Sequence, residues 1–187
     1  MQGKFEEAVE DYTAAIELSP RHCRAHYNRA YALDKLGRYR EAVADYDAAI
    51  ALDASNATAF HNRGSLLERL GDAERALADF SRAIELDPAA ALPYNARGLL
   101  LEVRGARGEA LADYGRAVER DGAQPLFRRN RGVCLRACGR YEEAARELDR
   151  CGSRRTVPAA TPRACSTPVT GREEQAVWFA HGQIACL

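Results

Sequence analysis

The sequence predicts an all-α solenoid of antiparallel helix pairs, and three observations predict it. Ala8, Ala42, Ala76, Ala110 and Ala144 recur every 34 residues. Gly3, Gly37, Gly71, Gly105 and Gly139 keep the same interval, and apolar residues between them fall at three- and four-residue spacing. The bulky series Tyr12, Tyr46, Phe80, Tyr114 and Leu148 shares the period, as does the small series Ala15, Ala49, Ala83 and Ala117. A fixed period of this length marks one supersecondary unit repeated, each copy burying the apolar flank of the next.

The chain opens inside a unit. Residues 1–22 supply only a second helix, Gly3 to Pro20, without the first helix that would cover it, so an exposed apolar flank is expected there. Such a flank offers a surface for self-association, and the opening reads as a fragment, an alternative product or a mis-started gene model of a longer array. In residues 23–56, the stretch His26 to Leu36 has a helical pattern and Gly37 supplies the permissive backbone that reverses the chain. Tyr39, Ala42, Val43, Tyr46, Ala49 and Ile50 then mark the apolar stripe of an amphipathic second helix. In residues 57–90, the small Gly64, Ala76 and Ala83 let helix axes approach while Phe60, Leu67 and Phe80 fill the gaps.

Residues 91–124 repeat the scheme, and a fourth unit, 125–151, fades near Cys151. Pro20 and Pro88 stop their second helices; Ala54 and Gly122 at the equivalent positions predict softer boundaries. Residues 152–187 lose the period and gain proline, serine and threonine, the composition of a disordered tail. Capping-box spacing at Thr170 to Glu173 allows a short helix near 172–181 carrying Trp178, either docked on the array's open end or part of an unstructured extension.

The 34-residue period and residue order resemble the tetratricopeptide repeat (TPR) family over roughly residues 3 to 151. The resemblance implies a right-handed superhelix whose first helices line a concave groove, and a non-catalytic scaffold or adaptor that grips a peptide or partner segment there. On that implication the groove residues are Arg24, Tyr27, Tyr31 and Lys35; Thr58, His61, Ser65 and Arg69; Asn95, Leu99 and Glu102; and Arg129, Val133 and Arg136. Asn28, Asn62 and Asn130 occupy one equivalent position, with Ala96 breaking the series, and an amide there either reads a peptide backbone through its donor and acceptor or serves helix packing. The chaperone-binding variant of the family seizes a C-terminal carboxylate with lysine, asparagine and arginine. Asn28 matches its central asparagine, but Thr58 and Asn62 stand where its next lysine and arginine belong.

Composition narrows the partners. The 27 basic residues balance 27 acidic ones across 187 positions, so no overall field draws the chain to nucleic acid or to an anionic membrane. Charge interrupts every apolar run in Met1 to Pro20, which predicts no signal peptide or span and a cytoplasmic location, with the six cysteines reduced. Asn56-Ala57-Thr58 is a glycosylation sequon, idle without secretion. No glycine-rich phosphate loop, nucleophile elbow or metal-ligand spacing is visible, so neither a catalytic residue nor a cofactor is expected. Cys134 and Cys138 lie four apart, as two small packing residues or as half of a metal site.

One further series departs from the family pattern. Arg29, Arg63, Arg97 and Arg131 recur with Asp45, Asp79, Asp113 and Glu147, each pair eight residues either side of a turn glycine. An antiparallel hairpin brings them level, as repeated ion pairs or as separate solvated charges. The leading functional reading is therefore a partner-binding scaffold. The alternatives are an interaction or targeting arm of a larger enzyme or of a co-chaperone, and RNA binding by helical repeats, which neutral charge and the lack of a repeated base-reading code disfavour.

Overall fold

A computed structural model describes residues 2–150. Within them the chain forms α1 (Gln2–Leu18), α2 (Cys23–Lys35), α3 (Tyr39–Leu52), α4 (Ala57–Arg69), α5 (Ala73–Leu86), α6 (Ala91–Val103), α7 (Arg107–Arg120), α8 (Pro125–Ala137) and α9 (Tyr141–Arg150), with no strand among the described residues. From α2 onward these pair as hairpins, α2 with α3, α4 with α5, α6 with α7 and α8 with α9. Each second helix also packs on the first helix of the next hairpin, α1 on α2 included, which is the expected solenoid. The expected tail, 152–187, with its short helix near 172–181, lies outside the described residues.

All four hairpin turns are built alike. Gly37, Gly71, Gly105 and Gly139 have φ of 75°, 85°, 82° and 76°, the left-handed region that glycine enters without strain. The residue after each glycine donates its N–H back across the turn, as Arg38 does to Leu33 O at 2.9 Å and Arg140 to Leu135 O at 3.0 Å, closing the helix end. Gly3 departs from its series: it lies inside α1, because no described helix precedes it to be reversed.

The boundaries between hairpins correct a second expectation. α3 and α7, which have Ala54 and Gly122 where α1 and α5 have Pro20 and Pro88, stop as sharply as α5 does. An aspartate ends them: Asp53, Asp87 and Asp121 sit at the C-caps, and their carboxylates accept the backbone N–H of Ser55, Ala89 and Ala123 at 2.9, 3.0 and 3.1 Å. Such a local turn gives a partner to a backbone N–H just beyond the helix and favours a reversal of the chain over another helical turn.

Small residues set the helix spacing. Gly64 lies so close to its own hairpin that an added Cβ would stand 2.8 Å from the Phe80 ring, and at Gly98 the distance to the Tyr114 ring would be 2.9 Å. Phe80 and Tyr114 are consequently sealed, as is Tyr46 beneath Ala30.

The arginine and carboxylate series are ion pairs. Arg29, Arg63 and Arg97 each donate Nε and Nη2 to the two oxygens of Asp45, Asp79 and Asp113, all at 2.6 to 2.9 Å. The remaining nitrogen, Nη1, crosses into the preceding hairpin and donates to Thr13 Oγ1, Asp47 Oδ1 and Ser81 Oγ at 3.0, 2.7 and 3.0 Å. One guanidinium therefore ties three helices together and fixes how successive hairpins align. The fourth copy is looser. Arg131 reaches Glu147 at 3.6 Å, and Gly115 stands where Thr13, Asp47 and Ser81 supply an acceptor.

Candidate protein-interaction surface

The first helices form one wall. α4 touches α6 and α6 touches α8, whereas α5 and α7 stay further apart, so the array bends toward its first helices and their exposed faces line its inner side. Arg24, Tyr31, Lys35, Thr58, Arg69, Leu99, Arg129, Val133 and Arg136 are exposed there, and Tyr27, His61, Ser65 and Glu102 are half-buried. Two of the basic groups rest on tyrosine faces, Lys35 Nζ at 4.8 Å from the Tyr31 ring centre and the Arg69 guanidinium at 5.6 Å from that of Tyr39, on α3.

Asn95 is a correction. It is buried rather than presented on the wall, because its Oδ1 accepts from Asn130 Nδ2 at 2.8 Å. Asn62 is similarly engaged: its Nδ2 donates to the hydroxyls of Tyr27 at 3.1 Å and Tyr46 at 3.3 Å. Burial raises the pKa of both tyrosines, so they meet the amide as neutral hydroxyls. These contacts link neighbouring hairpins, α4 to α2 and α3, and α8 to α6. Among the described residues Asn28 makes no such bond, and it lines a cleft of about 330 Å³ with Lys4, Phe5, Ala8 and Tyr12 of α1.

Part of the surface was not anticipated. Leu92 and Val103, 56% and 67% exposed, flank Leu99 on α6, and Leu126 is exposed beside Val133 on α8. The signal was present, since Leu92 and Leu126 occupy the position of Arg24, and Val103 that of Lys35. The result is an apolar strip of five large side chains on the inner side of two adjacent first helices, larger than the scattered apolar residues of an ordinary surface.

Beside the strip, where the starts of α4, α6 and α8 meet, a cleft of about 380 Å³ is lined by Thr58, His61, Leu92, Pro93 and Phe127 among others. The buried Nδ1 of His61 has no hydrogen-bond partner among the described residues, and its ring lies 5.8 Å from that of Phe80. Burial lowers its pKa, holding the ring neutral.

Of the two cysteines only Cys134 is a packing residue. Cys134 is buried with its thiol directed at Arg107 O, Cys138 is exposed, and desolvation pushes the Cys134 thiol up to about 12, far from the thiolate that metal binding or nucleophilic attack requires. Among the described residues no cluster of His, Cys, Asp and Glu could hold a metal ion, and no helix is long and apolar enough to cross a membrane.

A family model described as "Tetratricopeptide repeat" matches residues 2–57, 27–91 and 95–151. No curated protein sequence matches the chain significantly. Among solved structures, MamA superposes with a TM-score of 0.76 at 19% identity, over 80% of this chain and 87% of that one. PilF of Pseudomonas aeruginosa gives 0.74 at 22% identity over 80% and 68%. YrrB, described as a TPR protein with an unusual peptide-binding site, gives 0.68 at 26% identity over 80% and 77%.

Proposed function

The chain belongs to the tetratricopeptide repeat family, and from that premise we propose that it is a protein-binding scaffold holding a partner segment against the inner wall of its first helices. The observation that carries this reading is the apolar strip of Leu92, Leu99 and Val103 on α6 with Leu126 and Val133 on α8. Exposed apolar area of this kind is stabilised by a partner that covers it, and the rim of Arg129, Arg136 and Arg69 supplies polar groups that orient what lands there. YrrB, a relative of the same architecture with a peptide-binding site, supports the class of ligand. The half-buried Asn28 and Asn62 lie on the polar part of the same wall, with Arg24, Tyr31 and Lys35.

The test begins with segments selected from a random peptide display library against the chain. Their affinity is then compared across Leu99→Glu, Leu126→Glu and Ala78→Glu, the last on the exposed outer face of α5. The reading expects a loss of about tenfold or more, equivalent to ~1.4 kcal/mol, for the first two and no change for the third. Equal affinities for all three variants would show that binding does not use the inner wall.

A further inference from the structure

The exposed charge of the first helices has one sign. On α2, α4, α6 and α8 every exposed charged side chain is basic, namely Arg24, Lys35, Arg69, Arg129 and Arg136, whereas the outer helices mix both signs, as Glu74, Arg75, Arg82 and Glu85 do on α5. The chain as a whole is neutral, so the wall reflects segregation of charge and not an excess of base. The three acids of the first helices are half-buried and withdrawn. Asp34 accepts from Lys35 Nζ at 3.3 Å, Glu102 accepts from the Tyr114 hydroxyl at 2.9 Å, and burial raises the pKa of Glu68.

The inner cations are also unspent. Among the described residues Arg24, Arg129 and Arg136 make no ion pair, and Arg69 donates to the Tyr39 hydroxyl at 3.3 Å instead of to a carboxylate. On the outer helices Arg75, Arg82 and Arg146 each sit within 4.0 Å of a carboxylate. The inner cations are spread along the wall. Arg24 and Lys35 stand at opposite ends of α2, and Arg129 and Arg136 lie about two turns apart on α8, each three residues beyond an exposed aliphatic, Leu126 or Val133. Such spacing suits a run of carboxylates with aliphatic residues between them. A single terminal carboxylate needs its donors at one place, and the amides that could join them there are occupied, Asn62 on Tyr27 and Tyr46 and Asn130 on Asn95.

We propose that the segment held on the inner wall is an internal stretch of a partner protein in which acidic and aliphatic residues are interleaved. Its aspartates and glutamates face Arg69, Arg129 and Arg136, and its leucine, isoleucine or valine side chains cover Leu92, Leu99 and Val103. This ligand chemistry rests on the scaffold reading and goes beyond it by fixing sign and pattern. Charge of one sign along a concave wall draws an acidic segment in and repels a basic one. A nucleic acid would neutralise the arginines but leave the aliphatic strip uncovered. Helix axes ~10 Å apart put about 30 Å between α2 and α8, which about nine extended residues span.

The probe is a synthetic peptide of three Leu-Glu-Val-Asp blocks, acetylated and amidated so that no terminal charge contributes, titrated into the full chain by calorimetry. The proposal expects saturable binding that Arg129→Glu combined with Arg136→Glu weakens by about tenfold or more, or ~1.4 kcal/mol, and that Leu99→Gln also weakens. It further expects a peptide with lysine in place of each acid to fail on the unaltered chain and to recover on the doubly reversed one. Both arginines are exposed with no ion pair to lose, and unchanged circular dichroism verifies that the variant folds. Absence of binding, binding indifferent to the reversal, or equal binding of the lysine peptide overturns the proposal. So does a DNA duplex that binds as tightly and ignores Leu99→Gln, which would make the wall a site for polyanions. Failure of the scaffold reading is distinct: library-selected segments without acidic residues that still lose affinity on Leu99→Glu overturn this ligand chemistry and leave the scaffold standing.

Discussion

Arg97 on α6 grips Asp113 on α7 through hydrogen bonds of 2.7 and 2.9 Å, and its third nitrogen reaches Ser81 on α5 at 3.0 Å. A carboxylate only 2% exposed thus has its charge balanced chiefly by a side chain that also sets the distance to the preceding hairpin, with the Arg116 guanidinium adding a contact at 3.5 Å. Arg97→Ala leaves that carboxylate only the exposed Arg116, and the expected loss in urea unfolding is ~2–3 kcal/mol, short of the ~3–5 kcal/mol of a fully stranded charge. Arg97→Met combined with Asp113→Leu leaves no charge behind and should lose markedly less. Equal losses for the two variants would mean that the pair's burial is not what makes it matter.

The fourth hairpin lacks the cross-boundary bond because Gly115 offers no acceptor, although an added Cβ at that position meets nothing within 4 Å. Gly115→Ser should therefore stabilise the array by ~1 kcal/mol, part from helix propensity and part from a bond to Arg131. Gly115→Ala isolates the propensity part. The serine variant's hydrogen-bond gain should vanish in an Arg131→Met background, read as a double-mutant cycle in thermal unfolding; a gain that survives there rules out the bond.

Ala54 follows Asp53, whose backbone is extended at φ −142° and ψ 94°, a conformation that accepts a following proline. Pro88 already occupies the equivalent place after Asp87, and Ala54 donates no backbone hydrogen bond there. Ala54→Pro is expected to raise stability by ~0.4–1 kcal/mol through the unfolded chain. A lower melting temperature would show that this boundary needs freedom that its counterpart does not.

His61 is held neutral by burial, whereas in the unfolded chain it protonates near its ordinary value of about 6.5. Below that pH the unfolded state binds the extra proton, so stability falls as pH drops from about 6.5 toward the lowered folded value, and is unaffected above it. His61→Gln should make unfolding free energy less steep between about pH 6.5 and 5. Identical slopes would place the pH dependence on the remaining histidines.

The period, the turn glycines and the arginine–carboxylate pairing were legible because each repeats one residue type at one position. The third arginine bond was not: its acceptors are threonine, aspartate and serine, which share a hydrogen-bonding oxygen but no identity. The prolines concealed the aspartates at the ends of α3, α5 and α7, since Pro88 alternates with Ala54 and Gly122 while Asp53, Asp87 and Asp121 do not vary; before Pro20 the place is held by Ser19. On the inner wall, a register carried strictly through α6 and α8 would have found Leu92, Val103 and Leu126. It would still have misplaced Asn95, because only the contact with Asn130 on the next first helix decides which way that amide turns.

The most direct test of the interaction role is hydrogen–deuterium exchange of the chain with and without a segment selected for binding. The account predicts that protection gained on binding concentrates in α4, α6 and α8, whose exposed faces form the inner wall. Protection confined to the outer helices α5 and α7, with the inner wall exchanging as before, would contradict it.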